Sequence, residues 1–522
     1  MNNRKGWLSY EVYLLLCVCL AQIITSADNI TTALSIKEIM LFFDVNLSTG
    51  QIITSFYSVI CASLMIISGV FGYFINWKKI FQLGLFFTFL GEIFAITSEQ
   101  LLSFVGLSRI FFGLGASLLL PACVSLLSTI IRKENRVLAF SIWGTSVAVV
   151  IAVFPLLLSV LHYYWEWRSG YIILAILSLV VLGLSFKMPE PDFKKLNIKI
   201  NVFEIILVFV TLMLFLLGVV LIPKFGFITP SVSVGIYIFD YISIPLVLFI
   251  TSIATFFIYL NIKNKNDSII LKSFYSLTSL CGFYMLALLY VIYGGVLFVI
   301  VSYISLGQYS SITLALSTTI FAISMFISSV VAATVLKNKT SQELNTMGLT
   351  IITVSLLFLA IVMQPKIPSY YFYIALTPIG IGCGFIATKI NLVINYSVGS
   401  QWASQSSGVQ ASAKNIGYVL GVISFGMLLT YVTKYEFIDV INTHVIFIDS
   451  TESFSQIVLN GLNFMSDNQL TDYLDHLSLD YNKTEISLIN TIIKSKAISV
   501  VLIVGAILTI CSIPIGKKVA SC

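Results

Sequence analysis

The stretch Leu101 to Leu127, LLSFVGLSRIFFGLGASLLLPACVSLL, leaves any chain that contains it few choices. It is apolar over more than the ~20 residues that cross a bilayer, so it belongs in lipid. Yet Arg109 stands about a third of the way in. A full charge at that depth costs at least ~2.5 kcal/mol unless it faces protein or water, so Arg109 has to find a partner inside a bundle of helices. Gly113, Gly115, Ala116 and Ser117 follow it, small residues that let a neighbouring helix come close.

Similar runs recur along the chain. Apolar stretches of spanning length lie at about 11–36, 50–74, 80–98, 101–127, 138–161, 169–187, 203–222, 240–260, 273–302, 310–335, 346–363, 370–395, 408–432 and 497–515. The expected fold is an all-α membrane protein with about fourteen transmembrane helices. A composition of 58% hydrophobic and 10% charged residues agrees, since a soluble domain could not cover that much apolar surface. The net charge of +6 is confined to short loops, which argues against nucleic acid as a partner and reports orientation instead. Lys78/Lys79, Arg132/Lys133/Arg136, Lys187/Lys194/Lys195/Lys199, Lys263/Lys265/Lys272, Lys337/Lys339 and Lys517/Lys518 fall in alternate loops. That pattern places both termini in the cytoplasm of a multi-pass protein of the cytoplasmic (inner) membrane. Arg4 and Lys5 before the first run imitate a signal peptide, but the run is long enough to span and reads as an uncleaved helix. One long polar segment, 434–496, is expected outside, with apolar residues at helical spacing within 454–479.

The eight cysteines are scattered, and no metal-ligating cluster or phosphate-cradling loop occurs, so neither a cofactor nor a metal is expected. His162, His444 and His476 all fall in predicted outer loops, leaving no nucleophile and base pair for an enzyme inside the membrane. The ionisable residues predicted within the bilayer are Asp28, Glu92 and Arg109. At 1.5 Å per residue they lie roughly 9–12 Å from the outer ends of their helices, one shared depth. Two acids and a base at one level form a charge network that can exchange a proton with water. Lys389 and Lys414 lie near the cytoplasmic ends of the twelfth and thirteenth helices, either snorkelling to headgroups or facing a cavity.

Arg109-Ile-Phe-Phe-Gly113-Leu-Gly115-Ala116 resembles the fourth-helix signature of the major facilitator superfamily. Arg136-Val-Leu-Ala-Phe-Ser-Ile-Trp-Gly144, Trp165-Glu-Trp167, Leu306-Gly-Gln-Tyr-Ser310, the Gly380/Gly382/Gly384 run and Ser407-Gly-Val-Gln-Ala-Ser-Ala-Lys-Asn-Ile-Gly417 are similar, in order, to segments of its fourteen-helix drug/proton antiporter branch. Departures accompany the likeness. Tyr73 replaces the acid of the loop after the second helix, between Gly69 and Lys78/Lys79; the fifth helix keeps Pro155 but lacks the branch's glycines; and Asp28 falls two positions past the expected first-helix acid, at Ser26.

The resemblance implies two six-helix bundles, 1–187 and 271–522, the second including the outer loop 434–496, with two inserted helices in 188–270. It implies substrate at the midplane between the bundles, near Gln22, Tyr57, Phe112, Asn391, Lys389, Lys414 and Asn415, with Gly69, Lys78, Lys79, Gly113 and Pro155 serving gating and packing. The expected function is proton-coupled efflux of a hydrophobic or amphipathic small molecule by alternating access, performed by a monomer in the lipid bilayer. A carrier dedicated to one metabolite, such as a siderophore or nutrient, and a non-transporting receptor are the alternatives.

Overall fold

The computed structural model describes residues 9–71, 75–190, 202–228, 230, 241–262, 276–307, 309–363, 365, 367–398, 403–444, 464–476 and 483–519. Tyr73 lies outside the described residues, as do the side-chain surroundings of Asn391 and Gly69. In chain order the helices are α1 (Ser9–Leu34), α2 (Ile36–Phe42), α3 (Leu47–Phe71), α4 (Trp77–Thr97), α5 (Leu101–Ile130), α6 (Lys133–Tyr164), α7 (Ser169–Ser185) and α8 (Val202–Phe225). They continue with α9 (Ile244–Ile262), α10 (Leu277–Leu306), α11 (Ser311–Thr334), α12 (Ser341–Val362), α13 (Ser369–Val398), α14 (Ala403–His444), α15 (Asp467–His476) and α16 (Lys483–Gly516).

Among the described residues twelve helices are long and apolar enough to cross a membrane, and α6 and α7 contribute shorter apolar stretches, Val153–Tyr164 and Ser169–Ser185. About fourteen spans therefore stands. The starts are fixed by polar caps: Asn76, Ser276 and Ser310 each accept a backbone N–H at the head of their helix, and Thr340 forms a reciprocal capping box with Glu343.

Helices α1 and α3–α7 pack against one another, as do α10–α14 and α16. The two groups meet along α3 against α14 and along α6 against α11. The α8–α9 hairpin, joined by a Thr211–Thr255 hydroxyl bond of 2.9 Å, rests on α3 and α14. There Leu216, Val219 and Val220 close over Ile52, Val59, Val419 and Ile423. Lipid tails are as apolar as these side chains, so close packing rather than escape from water holds the helices together. Glycines set the closest approaches. A Cβ on Gly115 would stand 2.6 Å from the Gly84 carbonyl, and one on Gly91 2.6 Å from the Phe112 nitrogen, so α4 and α5 meet backbone to backbone.

Two boundaries differ from expectation. The polar segment 434–496 is largely helical at its ends, because α14 runs on to His444 and α16 starts at Lys483. These turns are polar, so hydropathy does not see them; Lys496 and Glu436 pair across them at 3.1 Å. Within the segment the amphipathic helix is short, α15, with Leu470 and Leu474 buried. Asp467 at its start accepts from Ser487 at 2.7 Å, Asn490 at 2.7 Å and Lys494 at 3.4 Å, all on α16. His162, expected in a loop, ends helix α6 and faces the Ser35 hydroxyl at 3.2 Å.

Candidate functional site

Arg109 is the largest of the fully buried side chains, 1% exposed. Its position is set by a break in helical register. Residues Phe104–Ser108 form a π-helical turn inside α5, and Arg109 leaves it on the face turned to α1 and α7. Such turns recur at functional sites because they re-aim one side chain without ending the helix.

The guanidinium is paired with Asp28 on α1. One terminal nitrogen lies 3.0 Å from each carboxylate oxygen and 2.9 Å from the Thr32 hydroxyl; the other donates to Ser108 at 2.9 Å. Thr32 in turn meets the Tyr171 hydroxyl of α7 at 3.0 Å. Aromatic faces enclose the charge, with Phe104, Tyr171 and Phe112 centred 5.0, 5.3 and 5.9 Å from the guanidinium carbon. The pair is thus sealed from hydrocarbon by protein on every side described.

Glu92 of α4 is fully buried, next to Gly91, where α4 meets the Phe112 backbone of α5. Neither of its carboxyl oxygens has a hydrogen-bond partner, and the Arg109 Nε is unpaired too. The site therefore holds an unused donor on the base and an unused acceptor on a second acid. Glu92 forms no ion pair with Arg109 here, and a bare buried carboxylate is very costly.

The other predicted residues divide by location. Tyr57 and Phe112 meet with centroids 5.4 Å apart and ring planes tilted by 58°, both buried between α3 and α5. Gln22 bonds Ser26 at 3.2 Å and leaves its carbonyl oxygen unpaired. Asn415 of α14 reaches the Met65 sulfur of α3 at 3.6 Å, across the seam between the two helix groups. Lys414 stands over the Tyr290 ring at 5.9 Å. Gly113 admits Ile60 of α3, whose Cβ would be 2.8 Å from a side chain there, and Pro155 lies within an unbroken α6.

Lys389 needs correction as a cavity residue. Its amine donates to the Lys337 and Lys339 carbonyls at 3.0 and 2.6 Å, because the long side chain reaches the loop after α11. Lys78 acts alike, bonding the Phe186 and Met188 carbonyls at 3.0 and 2.7 Å, while Lys79 is exposed.

Sequence reasoning missed Thr32, Ser108, Phe104 and Tyr171, which are ordinary residues until the helices cross. It also missed a second ion pair, with a buried acid and a partly exposed base. Glu11 at the head of α1 accepts from the Arg132 backbone and Nε at 3.0 Å and from its Nη2 at 2.9 Å. Glu11 lies at the edge of the first apolar run, where an acid is unremarkable in sequence.

The family model of the Major Facilitator Superfamily matches residues 14–422. The riboflavin transporter RibZ of Clostridioides difficile is 22% identical over 184 residues, covering 35% of this chain and 40% of that protein. The methyl viologen resistance protein SmvA of Salmonella typhimurium is 25% identical over 139 residues, covering 26% of this chain and 27% of that protein. The chain thus matches less than half the length of either relative. Among solved structures, a peptide transporter POT in complex with sulfate superimposes with TM-score 0.64 at 11% identity, covering 100% of this chain and 97% of that one. A bacterial homolog of the human lysosomal transporter Spinster, inward-facing and occupied, gives 0.61 at 12%, covering 98% and 97%. At such identity the likeness shows the fold alone.

Proposed function

The chain belongs to the major facilitator superfamily, and on that premise we propose that it is a secondary active transporter driving efflux of an amphipathic small molecule with protons. The observation that carries this reading is the buried Asp28–Arg109 pair beside the unpartnered Glu92. A fixed strut needs one acid. A second, buried without a partner on the adjoining helix α4, is what a proton carrier needs, because Arg109 would be handed from one carboxyl to the other while a proton moves the opposite way.

Two bundles, 1–187 and 271–522, would rock about the seams α3/α14 and α6/α11, with the hairpin in 188–270 lying across the first. Both termini would be cytoplasmic in the inner membrane, as the loop cations favour. The fourteen-helix drug/proton antiporter branch accommodates this arrangement, and the relatives' printed names suggest the first compounds to try.

The test is uptake of riboflavin and of methyl viologen into inverted vesicles energised by a pH gradient. Asp28→Asn is expected to abolish gradient-driven uptake while the protein still purifies folded; uptake unchanged in its dependence on the gradient would remove Asp28 from coupling. Counterflow of labelled substrate in proteoliposomes separates a carrier from a receptor, which gives none.

A further inference from the structure

On α3 the residues Gln51, Ser55, Ser58 and Ala62 are spaced four, three and four apart, so they stand in one line along the helix. Both ends of the line touch α14. The Gln51 carboxamide occupies the space that a side chain at Gly426 would fill, beside Phe298 of α10, and the Ala62 carbonyl accepts from Ser412 at 2.8 Å. The residues between therefore face the seam that the two helix groups share.

Gln51, Ser55 and Ser58 are each 0% exposed, yet neither the Gln51 Oε1 and Nε2 nor the two serine hydroxyls have a hydrogen-bond partner. Other hydroxyls on the same helix settle onto their own backbone, as Thr54, Ser63 and Ser68 do. A leucine or methionine would fill the Gln51 seat without stranding two polar atoms. The carboxamide is explained by a state in which the seam opens and something else meets it.

We infer that Gln51 determines specificity on the translocation path, pairing with an uncharged substrate that presents a hydrogen-bond donor beside an acceptor: a lactam, urea or imide edge. The inference rests on the transporter reading above and names its substrate class. A primary carboxamide offers an acceptor and donors in one plane, matching such an edge with two parallel bonds, whereas a simple cation or anion engages half of it. Ser55 and Ser58, one and two turns along, supply hydroxyls that rotate to meet further polar groups of the same molecule. A site built to satisfy a hydrogen-bonding group discriminates strongly against the analogue that lacks it.

The probes are 1,8-naphthalimide and its N-methyl derivative, which differ in the imide N–H, titrated onto the full chain in lipid nanodiscs with tryptophan quenching as the readout. Naphthalimide is expected to bind at least tenfold more tightly. Gln51→Leu should bring the two within about twofold and raise the melting temperature of the ligand-free protein, while Gln51→Asn keeps part of the preference. Binding of neither probe, equal binding of both, a preference that survives Gln51→Leu, or a lowered melting temperature in that variant each overturns the inference. Equilibrium binding needs no gradient, so Asp28→Asn should keep the preference; loss of coupling there and loss of discrimination at Gln51 are separate results.

Discussion

Burial distinguishes the cations of this chain more sharply than charge does. Arg109 is 1% exposed and its partner Asp28 is 0% exposed, so removing Arg109 strands a buried carboxyl that has to take up a proton. Arg109→Ala is expected to cost ~3–5 kcal/mol. Lys389 loses two carbonyl bonds at a partly solvated site, and Lys389→Ala should cost about 1 kcal/mol. Reversible unfolding in mixed micelles checks the ranking, and equal small losses would mean that the Asp28–Arg109 pair is not sealed from water. Asp467, outside the membrane, gives a pH signature. Burial alone would raise its pKa, but the Ser487 bond, the Lys494 charge and the Asn490 bond together hold it below the ordinary carboxylate value. A carboxyl with a depressed folded pKa stabilises fully above its unfolded pKa of ~3.9 and loses that contribution as pH falls through the folded value. Protection of α15 from protease should therefore be level from pH 7 to about 5 and fade below about 4. Asp467→Asn should show weak protection throughout, and a native profile in that variant would mean that α15 docks by its leucines alone.

At the scale of helices, close crossings depend on particular glycines, and the chain contains its own control. A side chain at Gly115 meets the Gly84 carbonyl and Thr88, whereas one at Gly144 meets nothing within 4 Å. Gly115→Val should exceed the ~1–3 kcal/mol of ordinary overpacking because backbone is what it strikes. Gly144→Ala should be neutral or stabilising by ~0.5–1 kcal/mol. Yield of folded protein and melting temperature report both, and similar behaviour of the two would show that α4 and α5 do not touch as described. These cases also mark how far the sequence can be read. The spans were legible because a bilayer demands ~20 apolar residues in a row, and Arg109 was legible because a charge in such a run is costly. That Asp28 is its partner followed only as a shared depth, since two helices can present side chains at one level and never meet. The π-helical turn at Phe104–Ser108 leaves no mark in hydropathy, and Tyr171 reads as one more aromatic in an apolar run. The ends of α14 and α16 are polar, so an apolar run does not mark them as helix.

For the whole molecule, the seam between the two helix groups is where the proposed transport would show itself. Among the described residues its polar contacts include the Ser412 hydroxyl on the Ala62 carbonyl, Asn415 on the Met65 sulfur, and Gln51 over Gly426, beside an apolar cluster that holds Ile52, Val59, Val419 and Ile423. None is an ion pair. Each is a neutral hydrogen bond or less, of the order of 0.5–1.5 kcal/mol net, so parting these three exposes no charge. The fully buried Asp28–Arg109 pair lies instead inside the first group. If alternating access runs through this seam, holding Met65 to Asn415 must stop it. With the native cysteines replaced by alanine, Met65→Cys and Asn415→Cys joined by a short thiol-cleavable bis-reagent should lose gradient-driven uptake of whichever compound the native protein carries, and cleaving the reagent should restore it. Either single variant treated alike should transport normally. Flux that persists through a complete cross-link would mean that α3 and α14 stay together during the cycle, and that the moving surfaces are those of α6 and α11.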